Sequence, residues 1–268
     1  MLVLAPHPDD EVFGCGGLLA QAARSGAEMR VVVVTDGQAR GVAEVRRRES
    51  AEAARRLGTP APEFWGFADR GLEPDDPELR SRIGGAVLET RPAVVLVPSP
   101  AEIHPDHRAL ALAVYEELRS GPVEVPATLR LAAYEVSAVL RPNLLVDVTE
   151  VWDEVMAAAA SFASQLGPTP YIEAMEGIAS ARRLTLPREV RRAEAYHVVD
   201  MGYVEAHEAL EWAAEQGPTA GLAGETGEIQ RLREEAARLQ AILDRIYASR
   251  TWKLHRLVES LRGRSRRR

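Results

Sequence analysis

Four short runs, Leu2–Ala5, Val31–Thr35, Val94–Pro98 and Leu144–Thr149, constrain the fold of this chain more than any other feature. Each is of strand length and β-branched or apolar nearly throughout, the pattern of strands buried on both faces. The segments between them change period. Gly16–Gly26 carries Leu18, Leu19 and Ala22 on one face and closes on Gly26, which suits a helix. Residues 42–58 place Val42, Val45, Ala53, Ala54 and Leu57 along a helical stripe that stops at Gly58. Glu63–Phe67 reads as a further strand and Leu79–Thr90 as a further helix. Strands alternating with helices predict an α/β fold: a Rossmann-like, mostly parallel sheet with helices on both faces, filling residues 1–200 of a domain that runs to 216.

Beyond Gly217 the pattern changes. Residues 217–228 are rich in Gly, Thr and Ala, as in a linker. From 229, Ile229, Leu232, Ala236, Leu239, Leu243 and Ile246 alternate three- and four-residue steps, the seam of an amphipathic helix or a short coiled coil that permits a homo-oligomer. The predicted extension is therefore a helical tail over 229–268. From Ser249 to the end, eight Lys/Arg face one acid, Glu259, so the net charge of −7 hides a basic end on a more acidic body. Such a body disfavours nucleic acid. The basic end is a candidate contact for an acidic membrane surface or a partner protein.

Hydrophobic residues at 46% and charged residues at 27% exclude wholesale disorder. No apolar run approaches the roughly 20 residues of a membrane span. The first residues lack a secretory signal pattern. A single cysteine, Cys15, excludes an internal disulfide and any multi-cysteine metal site. Together these predict a cytoplasmic protein, with Cys15 as packing.

Two polar clusters follow strands. His7-Pro8-Asp9-Asp10-Glu11 comes directly after the first, and His104-Pro105-Asp106-His107 shortly after the Val94–Pro98 strand. Open parallel sheets build their sites outside the carboxyl ends of strands, where strand order reverses. A hydrolytic zinc needs three protein ligands and an open position. His7 and Asp10 can converge on one metal, and His107 can complete the set. Asp9 is then free to take a proton from bound water, and His104 to face a developing oxyanion. Either pair alone is common at helix caps and on surfaces; two clusters at two strand ends are not.

At these residues the chain resembles the PIG-L/LmbE family of zinc-dependent N-acetylglucosaminyl deacetylases. LAPHPDDEVFGCGGLLA resembles its first signature and IHPDHRA its second metal motif. Weaker likenesses are TDG at 35–37, Arg46-x-x-Glu49, FWGFADRGL at 64–72, VDVT at 146–149 and AEAY at 193–196. The resemblance implies His7, Asp10 and His107 as zinc ligands, Asp9 as general base and His104 as a protonated stabiliser of the oxyanion. It implies Asp106 as a group that tunes a histidine, and Arg46 and Asp69 as substrate contacts. One departure stands out: some relatives carry tyrosine two residues before the histidine matching His104, and here Glu102 occupies that place.

The reaction so implied removes acetyl from an N-acetylated amino-sugar conjugate through a zinc-bound water; iron(II) or another divalent ion suits the same ligands. Loops around 69–78 and 165–190 are expected to read the aglycone. Alternatives are an amidase for a larger amide or thiol conjugate and, from another class, a non-catalytic scaffold. Ala248-Ser-Arg-Thr-Trp-Lys-Leu resembles segments of some bacterial glycan-assembly proteins, which is the setting for the scaffold.

Overall fold

The apolar runs are strands in a computed structural model of the chain, which describes residues 1–122, 126, 128–167, 169–201 and 212. The linker at 217–228, the tail at 229–268 and the glycan-assembly likeness lie outside the described residues. In chain order the elements are β1 (Leu2–Ala5), α1 (Asp10–Arg24), β2 (Arg30–Thr35), α2 (Ala43–Leu57), β3 (Glu63–Phe67), α3 (Pro77–Thr90), β4 (Val94–Pro98), α4 (Pro105–Ser120), β5 (Arg130–Tyr134), β6 (Leu144–Asp147), α5 (Trp152–Ala159), α6 (Ala163–Leu166), α7 (Tyr171–Arg182) and β7 (Ala193–Asp200).

The seven strands form one sheet of order β3-β2-β1-β4-β5-β7-β6. Every pairing from β3 across to β5 is parallel, and β7 runs antiparallel to both its neighbours. Strand order reverses between β1 and β4, which pair directly through Leu2 with Val95 and Val3 with Leu96. The two clusters therefore open from adjacent strands at the switch point. One sheet face is covered by α3 and α4 through Leu79, Ile83, Leu110 and Val114; the other by α1, α2, α5 and α7 through Val12, Leu57, Val155 and Ala179. Two-sided burial is why β1 has no polar residue. Among the described residues no helix is long and apolar enough to cross a membrane.

Several expectations shift. The first helix begins at Asp10, not Gly16, because the N–H groups of Val12 and Phe13 already bond to Asp9 O. It is broken at Cys15 (φ −143°), and Glu194 of β7 accepts the N–H groups of Gly17 (2.6 Å) and Leu18 (2.9 Å), restarting the helix as a distant cap. Cys15 is buried, its thiol pushed up by burial, consistent with packing. The last predicted strand ends at Asp147, whose carboxylate accepts the Thr149 N–H and turns the chain. The second cluster leads into α4, and the strands β5 and β7 appear where the sequence carried no strong pattern.

Candidate metal centre and active site

His7 leaves β1 with its N–H on Asp10 Oδ2 (2.9 Å) and its ring Nδ1 3.1 Å from the same oxygen. His107 stands in the first turn of α4, its Nε2 3.1 Å from Asp10 Oδ2 and 3.3 Å from His7 Nδ1. The three expected ligands thus form a near-equilateral triangle. Ligands about 2.05 Å from a tetrahedral zinc stand roughly 3.3 Å apart, so the donor set fits such an ion in type and spacing.

The other ring nitrogen of His7 faces carboxylates. Asp106 Oδ2 lies 3.1 Å from Nε2 and Asp69 Oδ1 3.4 Å. Asp106 is itself fixed by the N–H groups of Arg70 (2.6 Å) and Leu72 (3.3 Å). Donor atoms of His7, His104 and His107 lie within 4.8 Å of one another, as do those of His7, Asp69, His104 and Asp106. The second group approaches His7 largely from behind, where a carboxylate orients a ligating imidazole rather than sharing its metal. Burial resists charging His7, but Asp10, Asp106 and Asp69 outweigh it and raise its pKa well above the usual value. His107 is likewise opposed by burial and pushed up to about 9, chiefly by Asp10. The centre calls for positive charge, which a divalent cation meets.

Asp9 holds the strained backbone expected of a constrained functional residue, φ 135°. Its carboxylate does not cap α1; it lies 3.0 Å from Arg46 Nη2, which also donates to Pro8 O. Burial and the neighbouring Asp10 raise the Asp9 pKa well above the carboxylate norm, against the pull of Arg46. Gly37 of the TDG segment (φ 62°) lets this arginine through: a Cβ there would lie 2.9 Å from Pro8 and 3.3 Å from the guanidinium. Arg46, expected on the substrate, borders the cavity but engages the proposed base. Glu11 was missed. Its buried carboxylate accepts the Asp9 N–H (3.0 Å) and the Ser50 hydroxyl (3.0 Å), and burial pushes it up to about 7. Its place within the first cluster was the available signal.

His104, expected as a protonated stabiliser, stands at the N-terminus of α4 and borders the cavity. The Asp106 N–H points at His104 Nδ1 (3.2 Å), a contact that suits a neutral ring with its proton on Nε2. Burial, then the neighbouring histidines, lower its pKa, in the same direction.

His7, Asp9, Asp10, Arg46, His104 and His107 line a cavity of about 360 Å³ together with Arg70, Ile103, Ser137, Gln165 and Tyr171. Arg70, Gln165 and Tyr171 come from the two regions expected to read the aglycone, although the second is helical where it meets the cavity, with Gln165 in α6 and Tyr171 opening α7. Asp69 borders the cavity and accepts the Ala39 N–H (3.0 Å). Tyr196 is buried on Glu194, and His197 bonds Arg141 O, so neither lines it. Trp65 and Phe67 pack against the α3/α4 side of the core.

Residues 2–118 match the profile of the PIG-L family, described as GlcNAc-PI de-N-acetylase. The crystal structure of the conserved protein TT1542 from Thermus thermophilus aligns with a TM-score of 0.66 at 33% identity, over 73% of this chain and 92% of that one. A Bacillus cereus protein named probable N-acetyl-alpha-D-glucosaminyl L-malate deacetylase 2 is 26% identical over 182 residues, 62% of this chain and 83% of the relative. The 4-oxalmesaconate hydratase of Pseudomonas putida is 28% identical over 191 residues, 61% of this chain and 73% of the relative.

Proposed function

This chain belongs to the PIG-L family, and from that premise we propose that it is a cytoplasmic, zinc-dependent N-deacetylase of GlcNAc-type conjugates. The observation that carries the reading is the 3.1–3.3 Å triangle of His7 Nδ1, Asp10 Oδ2 and His107 Nε2, with Asp9 beside it in a cavity of sugar-conjugate size.

His7, Asp10 and His107 would hold the cation. A divalent ion there supplies Lewis acidity, bringing the pKa of water toward 7 and polarising an amide carbonyl. Asp9, beside the triangle and bordering the cavity, takes the proton of the attacking water. Arg46 holds that carboxylate toward the cavity. His104 offers Nε2–H to the oxygen that gains charge; one such donor is typically worth about 3–4 kcal/mol. As the C–N bond breaks, Asp9 returns the proton to the leaving nitrogen, giving acetate and a free amine. Asp106 acts through His7 and is a positioning residue in this scheme.

The test is acetate release from a panel of GlcNAc conjugates, with metal analysis of the purified protein to separate zinc from iron(II), since both suit two imidazoles and a carboxylate. Hydration, the reaction named for the Pseudomonas relative, can use a similar base and cation, so acetate is the discriminating product. A protein that binds a divalent metal but releases acetate from no conjugate overturns the deacetylase reading.

A further inference from the structure

Glu102 has no exposed role. It is 1% exposed and is absent from the cavity lining, although Ile103 and His104 beside it are present there. Its carboxylate is held by the N–H groups of Val136 (2.6 Å), Ser137 (3.0 Å) and Ala138 (3.2 Å) and by the Ser137 hydroxyl (2.5 Å). Donors from three successive residues fix both oxygens of a charged carboxylate.

Oε2 of this anchored group lies 3.6 Å from His107 Nδ1. That nitrogen is buried and has no hydrogen-bond partner, while the opposite ring nitrogen faces the triangle. A buried imidazole N–H left unpaired forfeits the hydrogen bond that water would have given it. The gap exceeds a hydrogen bond by a few tenths of an ångström, within reach of a small ring rotation. His7 already shows the completed arrangement, with Asp106 behind Nε2 and the triangle in front of Nδ1.

We propose that Glu102 is a positioning residue that accepts the Nδ1–H of His107 when a cation engages Nε2, fixing the tautomer and orientation of that ligand. Position 102 then acts from behind the metal centre rather than on the substrate, so the chain needs no tyrosine there for this role. The proposal rests on the metal-site reading above.

The test uses the full chain without substrate. Zinc affinity is measured by competition with a chromophoric chelator for the wild type and Glu102→Gln, together with the visible spectrum of the cobalt(II) form. The expected result is a 10–100-fold weaker affinity and an altered cobalt spectrum in a variant whose circular dichroism is unchanged. A folded variant with wild-type affinity and spectrum overturns the proposal. Should Glu102→Gln fail to fold, the Nδ1 proton of His107 in zinc-loaded wild type decides: a strongly downfield, exchange-protected resonance supports it, and a resonance without that shift overturns it. Failure of the wild type to bind any divalent metal would sink the functional reading itself, whereas unchanged affinity in the variant sinks only the role of Glu102.

Discussion

His7 and Asp106 are 99 residues apart in the chain, yet His7 Nε2 and Asp106 Oδ2 lie 3.1 Å apart. The contact points Nδ1 of the same ring at Asp10 and His107. Asp106→Asn keeps the size of the side chain but removes the charge that orients the imidazole. The expected outcome is a metal affinity lower by about 10–100-fold, measured by chelator competition.

Asp9→Asn separates base from ligand. The variant should keep its metal, because the three triangle atoms are untouched, and lose about 10²–10⁴-fold in turnover. Acetate release and metal content are read on the same sample. Loss of metal would make Asp9 a ligand and overturn its assignment.

Arg46 gives a kinetic signature. Its guanidinium holds Asp9 Oδ2 at 3.0 Å, so Arg46→Met should misplace the base and lower kcat by up to about 10²-fold. A substrate contact would instead raise KM with kcat preserved, as steady-state kinetics will show.

Glu135 and Arg182 form an ion pair away from the metal centre, and Arg182 also donates to Leu140 O (2.8 Å). Burial raises the Glu135 pKa, with Arg182 opposing it. A folded pKa above the unfolded one means that this carboxyl favours folding most at low pH, and the benefit is lost as pH rises through the folded value. Arg182→Met removes the opposing charge and raises the folded pKa further. The variant should therefore be destabilised by about 2–4 kcal/mol at pH 8, somewhat below a fully buried pair because the arginine is partly exposed, and by less at pH 5. Denaturant titrations at the two pH values check the sign.

Much of the site was legible locally. A histidine three residues before an aspartate, placed after an apolar strand, marks a candidate ligand pair and the end of the sheet from which it projects. The same holds for His104 to His107, although the helix that carries His107 was not visible in advance. The contact from the Asp106 N–H to His104 Nδ1 depends on the turn into α4, which the motif spacing does not encode.

The alternation of strands and helices, the two polar clusters and the residue types able to hold a cation were all readable along the chain, because apolar period and motif spacing are properties of neighbouring residues. The packed molecule alone establishes that β1 and β4 are adjacent, that Arg46 meets Asp9 and that Asp106 and Glu102 stand behind different histidines. Those relationships join groups from separate loops and helices, and they are set by strand order and by the helices packed on each face, which no local pattern encodes.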